Sequence, residues 1–108
     1  MLVFLNDDTE PLAPEWLEVL VAQAVRKPAG VVGAKLVYPS GAIQHAGMAI
    51  GIMGVAGHPH RDAFGSQWWP WLSFTRNVPA VTGACMAIRK PVFDEPGGFD
   101  PVFAVNYN

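Results

Sequence analysis

The sequence predicts an α/β fold, a mixed sheet with flanking helices, and three observations support this prediction. The chain opens with a continuous apolar run, MLVFL at residues 1–5, which is typical of a strand buried on both faces. An amphipathic helical pattern follows at residues 14–27, and a second apolar run, VVGAKLVY, occupies residues 31–38. A strand, a helix and another strand in that order indicate α/β architecture.

Residues 14–27 carry both the periodicity and the end signals of a helix. Pro14 suits the first helical position, and Pro28 with Gly30 ends the pattern. Apolar side chains recur at helical spacing, at Trp16, Leu17, Leu20, Val21, Ala24 and Val25. The sequence therefore predicts an amphipathic helix over residues 14–27.

The rest of the chain predicts two further strands and two short helices. A turn at residues 39–41 leads into a strand over residues 43–50, which gives a hairpin. Residues 58–76 are expected to form a long excursion with one short helix. A third apolar strand is predicted over residues 78–88, and a short helix begins at Pro91 and ends at the Pro-Gly-Gly that follows it.

Composition restricts the class of protein. The chain has 108 residues, 51% of them hydrophobic and 15% charged, with a formal net charge of −2. This length fits one domain, and the apolar content excludes a disordered chain. Because no basic run is present, we expect no nucleic-acid partner.

Neither a signal peptide nor a transmembrane segment is predicted. The apolar N-terminus lacks a basic flank, and the cleanest apolar stretch, residues 46–57, is too short to cross a bilayer. The single cysteine, Cys85, lies among apolar residues, which favours an inert buried thiol in a reducing compartment. We therefore expect a cytoplasmic protein.

Asn6, Asp7 and Asp8 directly follow the first predicted strand. In open α/β sheets, ligands bind beyond the carboxyl ends of the strands. Two neighbouring carboxylates suit Mg²⁺ or Mn²⁺, which proteins commonly bind through one or two carboxylates together with substrate phosphates. The alternative is a plain polar turn, since Asn and Asp are favoured there; the position after a buried strand favours a metal site.

The histidines allow a second metal hypothesis. His58 and His60, separated by Pro59, would place both rings on one face if this segment were a strand, but Gly57 and Pro59 argue against a regular strand. His45 is expected to be a hydrogen-bonded strand residue rather than a base, with a role in a pocket left open because imidazole titrates near neutral pH.

An aromatic cluster occupies residues 68–71, with Trp68, Trp69 and Trp71 around Pro70. Packing is its first interpretation, because large aromatic side chains dominate protein cores. A surface that stacks on sugars or contacts a partner is the alternative.

Three segments in order resemble the family 2 glycosyltransferases of GT-A fold, and among them the rhamnosyltransferase-like enzymes of bacterial cell-surface polysaccharide synthesis. The segments are LNDDTEPLAPEWLEVL, VGAKLVYPSGAIQHAGM and AVTGACMAIRKPVFDEPGGFDPVFAVNYN. The resemblance covers nearly the whole chain, and its most specific part is the TGAC, RK and GGFD series in the third segment.

The resemblance implies inverting transfer of a sugar from a nucleotide-diphosphate donor to a hydroxyl of a saccharide or lipid-linked acceptor. Asn6, Asp7 and Asp8 match the donor-binding DxD-type motif, with Asn in the first acidic place. By that match Asp8 binds Mg²⁺ or Mn²⁺, and Asp7 lies beside the donor ribose or a metal-bound water. A pocket for the acceptor and the donor sugar is expected at Thr82, Gly83, Ala84 and His45.

By the same resemblance, residues 1–108 are expected to be a single, partial catalytic domain. These residues are expected to lack the family's N-terminal nucleotide-binding half, and its catalytic base is expected just after Asn108. The chain alone is therefore expected to be inactive, and the full-length protein to work at the inner face of the membrane. Two alternatives stay open: a non-catalytic remnant that self-associates or binds partners through exposed sheet edges, and a histidine-based metal-binding domain.

Overall fold

The computed structural model describes residues 1–52, 54–64 and 69–103. In chain order its elements are β1 (Leu2–Leu5), α1 (Trp16–Ala24), β2 (Val31–Gly33), β3 (Leu36–Val37), β4 (Ile43–His45), β5 (Ala49–Ile50), β6 (Ala56–Gly57), a 3₁₀ turn (Pro70–Ser73), β7 (Cys85–Ile88) and α2 (Lys90–Asp94).

The central sheet has the strand order β1-β7-β2. Both outer strands run antiparallel to β7, with Leu5 opposite Cys85 and Val32 opposite Ala87. β1 and β2 are therefore parallel to each other, and α1 connects them in sequence. The result is a mixed sheet; its assignment to the GT-A fold stays a prediction.

Each face of the sheet is covered by a different part of the chain. Because side chains alternate along a strand, Cys85 and Ala87 share one face of β7, where they form the buried core with Leu20 and Ala24 of α1. On the opposite face, the Phe4 ring packs against Phe93 and Phe99, with ring centroids 5.5 Å and 5.0 Å apart.

The prediction that β1 is buried on both faces is wrong for the described residues. Its side chains alternate between half-buried and exposed, and Val3 and Leu5 keep 38% and 43% of their surface exposed. The reason is the position of α1, which packs over β2 and β7. In the described part of the chain β1 pairs with β7 alone, so its second edge lies open.

The strands predicted over residues 31–38 and 43–50 are each divided in two. β2 belongs to the central sheet, whereas β3 pairs antiparallel with β4. β4 ends at His45, and the chain resumes in the β5–β6 hairpin. On its other side β4 hydrogen-bonds to the segment 61–64: the Ile43 N–H donates to the Ala63 carbonyl at 2.9 Å, and Ala42 bridges Phe64.

The strand predicted over residues 78–88 begins only at Cys85. The Ala84 N–H donates to the Thr82 side-chain hydroxyl at 3.3 Å, so residues 82–84 form a turn and not part of the sheet ladder. The predicted helices are found close to their expected positions. α1 is shorter at both ends than residues 14–27, and α2 carries its proline in the first turn, as predicted.

No helix in the described ranges combines the length and the apolar character needed to cross a lipid bilayer.

Candidate functional site

A small polar pocket of about 210 Å³ lies at the carboxyl end of β1. It brings together four of the residues expected at the donor site or the sugar pocket: Asn6, His45, Thr82 and Ala84. The other lining residues are Leu36, Gln44, His58 and Arg61. Residues as far apart in sequence as Asn6 and Ala84 therefore line one pocket beside the sheet.

The turn that follows β1, residues 6–8, meets the pocket through Asn6 and is called the carboxylate turn. Its start is fixed by the turn that precedes β7, because the Asn6 N–H donates to the Ala84 carbonyl at 2.9 Å. The Thr9 N–H closes the turn on the Asn6 carbonyl at 3.2 Å. Asp7 and Asp8 are both exposed and do not line the pocket.

His45 is the most buried polar residue of the described chain, with 2% of its surface exposed. Its Nε2 accepts the Gly47 N–H at 3.2 Å and has a longer contact with the Thr82 N–H at 3.5 Å. Backbone amides only donate, so Nε2 is unprotonated and the proton of a neutral His45 resides on Nδ1. Burial, and then the neighbouring His58 and Arg76, lower the pKa of His45 to about 4. His45 is therefore neutral near pH 7.

His45 and His58 form what is called the histidine pair. Their Nδ1 atoms lie 2.9 Å apart, and their rings meet edge to face. Since His45 Nδ1 carries a proton, it donates, and His58 Nδ1 accepts. The proton of neutral His58 then resides on Nε2. Burial and the nearby Arg61 lower the pKa of His58, which also favours the neutral ring.

Gly47 makes the contact to His45 possible. Its φ is +94°, and a Cβ at this position would lie 2.6 Å from the Val78 Cγ1 atom. A side chain would therefore add both backbone strain and a clash. Glycine alone lets the N–H of residue 47 fold back onto the imidazole two residues earlier.

Arg61 is held at the pocket wall by Tyr38. The Arg61 Nε–H donates to the Tyr38 hydroxyl at 3.0 Å. The next residue is tied to β4, because the Asp62 N–H donates to the Ile43 carbonyl at 2.8 Å. The segment that carries His58 and Arg61 is thus fixed against β4.

A larger, open groove of about 1080 Å³ lies between α1, β2 and residues 72–81. His45 and Gly47 also line this groove, whereas the residues of the carboxylate turn and Thr82 do not. The Arg76 Nη2 crosses this region and donates to the Ala46 carbonyl at 2.6 Å. The groove is separate from the carboxylate turn.

The remaining sequence hypotheses have mixed outcomes. His58 and His60 do not act as a pair: His58 faces His45, while the His60 ring lies 5.8 Å from that of Trp69.

Cys85 is buried, and burial raises the pKa of its thiol, which agrees with an inert cysteine. Gly83 is exposed and lies outside the pocket lining. Trp68 and the position after Asn108 expected for the base lie outside the described residues.

Among the described residues, the carboxylate turn is the candidate metal site that the structure leaves. Within residues 1–52, 54–64 and 69–103, no three His, Cys, Asp or Glu side chains cluster closely enough to hold a metal ion. Asp7 and Asp8 supply two exposed carboxylates on one turn. This donor set fits Mg²⁺ or Mn²⁺, which keep open positions for phosphate oxygens and water.

Sequence reasoning missed the contributions of Gln44 and Arg61, and it assigned His58 to a different hypothesis. One local signal for the pair exists, since a histidine followed two residues later by glycine permits the backbone contact seen here. The distance of 13 residues between His45 and His58 carries no such signal.

Comparison with known proteins gives two similar curated relatives. An alignment of 113 residues, which covers 97% of this chain, is 44% identical to the O-antigen biosynthesis protein RfbC of Myxococcus xanthus. A second alignment of 102 residues, which covers 93% of this chain, is 46% identical to the uncharacterized protein y4gI of Sinorhizobium fredii (strain NBRC 101917 / NGR234). No family model matches the sequence. No solved structure shows significant similarity either. The chain spans 8% of the first relative and 11% of the second, so nearly all of it corresponds to a short section of much longer proteins.

Proposed function

We propose that this chain forms part of the substrate site of a glycosyltransferase in cell-surface polysaccharide synthesis. In this proposal a sugar moves from a nucleotide-diphosphate donor to an acceptor hydroxyl with inversion. Similarity at 44% identity to a protein named for O-antigen biosynthesis supports the link to polysaccharides. The resemblance of the three motif segments to family 2 glycosyltransferases supports the reaction class.

One observation carries the proposal: the pocket joins motif residues that are far apart in sequence. Asn6, the first residue of the carboxylate turn, lines the same pocket as His45, Thr82 and Ala84. A donor diphosphate held at Asp7 and Asp8 would have a polar pocket directly beside it for the attached sugar. This arrangement is what transfer of a sugar from a nucleotide requires, because the bond that breaks joins the sugar to the diphosphate.

The residues of the carboxylate turn fit the proposed cation and phosphate chemistry. Asp8, with Asp7, would hold Mg²⁺ or Mn²⁺, and the ion would stabilise the charge that develops on the leaving diphosphate. Asn6 can orient the donor through its amide, which both donates and accepts hydrogen bonds. The exposure of both carboxylates leaves room for a phosphate group.

The test is nuclear magnetic resonance of the 15N-labelled 108-residue chain with nucleoside diphosphates, since amide shifts detect even weak binding. With Mg²⁺ present, we expect UDP, GDP or dTDP to shift the amide signals of Asn6, Thr9 and Thr82. Asp8→Asn should abolish the cation-dependent part of the shift. Glu10→Gln is the matched control, because it removes the same charge two residues away and should bind as the parent does.

Two results would contradict the proposal. One is an absence of cation-dependent shifts with every diphosphate in the panel. The other is a response of Asp8→Asn equal to that of Glu10→Gln, which would mean that the charge of this region, and not the position of Asp8, attracts the ligand.

A second candidate, a non-catalytic interaction module, is favoured by the open edge of β1. Val3 and Leu5 are exposed there, beyond the reach of α1, and exposed apolar strand edges invite pairing with another chain. Sedimentation at several concentrations tests it, with Val3→Lys as the variant. Concentration-dependent dimers that Val3→Lys disrupts would support this candidate, and a monomer at all concentrations would reject it.

A further inference from the structure

We propose that His58 contacts the sugar in the small pocket, with its Nε2–H donating to a sugar oxygen, and that His45 is a positioning residue that fixes this donor. The inference rests on the proposed function for the identity of the ligand as a sugar. It adds a residue, a donor atom and a positioning partner that the motif resemblance does not assign.

The first step is the direction of the hydrogen bonds through the histidine pair. The backbone N–H of Gly47 donates to His45 Nε2, so His45 must donate from Nδ1 to His58 Nδ1. His58 is left with one ring donor, Nε2–H. Among the described residues no further hydrogen bond engages the His58 ring, so this donor is left for a ligand.

The second step is the chemistry of the pocket wall. Asn6 and Gln44 carry amides that both donate and accept, and Thr82 carries a hydroxyl. Sugar hydroxyl groups also donate and accept, so they match a wall of this mixed kind. Of the described residues that line the pocket, Arg61 alone is charged near pH 7, and Asp7 and Asp8 lie next to Asn6 along the chain. A neutral polyhydroxyl ring therefore suits the pocket better than a free anion.

The third step is rigidity. His58 directly follows β6, and the Arg61 N–H donates back to the His58 carbonyl at 3.2 Å. Arg61 is in turn fixed on Tyr38. His58 is thus held by β6, by the hydrogen bond from Arg61 and by the contact of its ring with His45. A donor held in this way loses little conformational freedom on binding, which favours affinity.

The main test uses His58→Asn. The Asn amide oxygen lies near the position of Nδ1 and can accept from His45, whereas nothing replaces Nε2–H. The probes are methyl glycosides of hexoses and 6-deoxyhexoses, added without metal to the full chain and followed through the Thr82 and Asn6 amide signals. We expect His58→Asn to weaken binding about three- to tenfold, the loss of one hydrogen bond. His60→Asn, the same change two residues away, should bind as the parent does.

His45→Gln tests the positioning role by a pH profile. The Gln oxygen can still accept from Gly47, but the donor to His58 Nδ1 is weakened, so that His58 gains a proton more readily. The groups that face the pair are Arg61, beside His58, and Arg76, beside His45. Without the His45 donor, a neutral His58 can carry its proton on Nδ1 instead of Nε2, whereas a protonated His58 carries a proton on both nitrogens. We expect His45→Gln to bind glycosides more weakly than the parent near pH 7 and to regain binding as the pH falls and His58 gains its second proton; an unchanged profile would overturn the positioning role.

Three results would overturn the sugar contact: equal binding by His58→Asn and the parent, no glycoside that shifts the pocket amides, or sodium phosphate that shifts them while glycosides do not. These outcomes are distinct from failure of the proposed function. Cation-dependent diphosphate binding without glycoside binding would reject this inference alone, whereas glycoside binding without diphosphate binding would reject the transferase proposal.

Discussion

The histidine pair and the carboxylate turn border the same pocket, yet they are held in opposite ways. His45 is almost fully buried, and both of its ring nitrogens are engaged by protein atoms. Asp7 and Asp8 are exposed, and the turn is fixed by backbone hydrogen bonds at Asn6 and Thr9. His45 belongs to the interior of the fold and the half-buried His58 rests on it, while the carboxylates are exposed on the surface.

This difference predicts which substitutions alter the stability of the fold and which alter ligand binding alone. A buried polar group that loses its partner costs free energy, whereas an exposed carboxylate is solvated with or without the fold. Changes at His45 should therefore alter the free energy of unfolding, and changes at the carboxylate turn should alter ligand binding only. The predictions below test this separation, beginning with the largest effect.

His45→Leu should destabilise the protein by roughly 3–4 kcal/mol. The leucine fills the buried space but leaves the Gly47 N–H, and to a lesser extent the Thr82 N–H, without an acceptor. Urea denaturation at pH 7 measures the loss. His60→Leu is the matched control and should have little effect, because His60 lies outside the pocket. Equal stabilities of the two variants would show that the buried hydrogen bonds contribute nothing.

Gly47→Ala should cost roughly 2–3 kcal/mol, because strain at positive φ adds to the clash with Val78. Gly41 provides a close comparison. Its φ is +84°, but a Cβ there meets nothing within 4 Å. Gly41→Ala should therefore show the strain alone, about 1 kcal/mol. If both variants unfold at the same urea concentration, the contact with Val78 plays no part.

The sequence predicted the features that depend on neighbouring residues, and it failed for those that depend on tertiary packing. Local signals sufficed for α1, whose periodicity and flanking prolines lie within one stretch, and for α2, which begins at Lys90, one residue before the predicted start. They were misleading for β1, because exposure of Val3 and Leu5 depends on where α1 packs. They also failed at residues 82–84, where the Ala84 N–H donates to the Thr82 hydroxyl oxygen and a turn replaces the predicted strand.

Within the candidate site, too, one part could be predicted from the sequence and the other could not. The carboxylate turn was predictable because three polar residues follow an apolar run directly. The histidine pair was not, because its two members are brought together by β4, by the β5–β6 hairpin and by the pairing of residues 61–64 with β4. Their contact is a product of tertiary structure, which single-sequence patterns do not encode.

Acid should destabilise the protein through His45. The unfolded chain binds a proton at this residue near pH 6.5, but the folded chain does so only near pH 4. Between these values the unfolded state holds more protons, so stability is complete above about pH 6.5 and falls as the pH drops towards 4. We expect a loss of about 2 kcal/mol between pH 7 and pH 5. The measurement is urea denaturation at pH 7, 6 and 5.

His45→Gln is the control for this pH dependence, since glutamine does not titrate. Its stability should fall less steeply over the same range, although the lowered pKa values of His58 and His60 leave a residual slope. Parallel curves for the parent and His45→Gln would mean that another group accounts for the acid sensitivity.

Asp8→Asn should change the free energy of unfolding by less than about 0.5 kcal/mol. The side chain is exposed, and removing one of two adjacent carboxylates relieves repulsion with Asp7, so any change should be a slight gain. Thermal and urea denaturation of Asp8→Asn beside Glu10→Gln measure it. A loss above 1 kcal/mol would place Asp8 among the groups that hold the fold together. The carboxylate turn would then be structural like the histidine pair, and a loss of diphosphate binding in Asp8→Asn could no longer be assigned to a missing cation ligand.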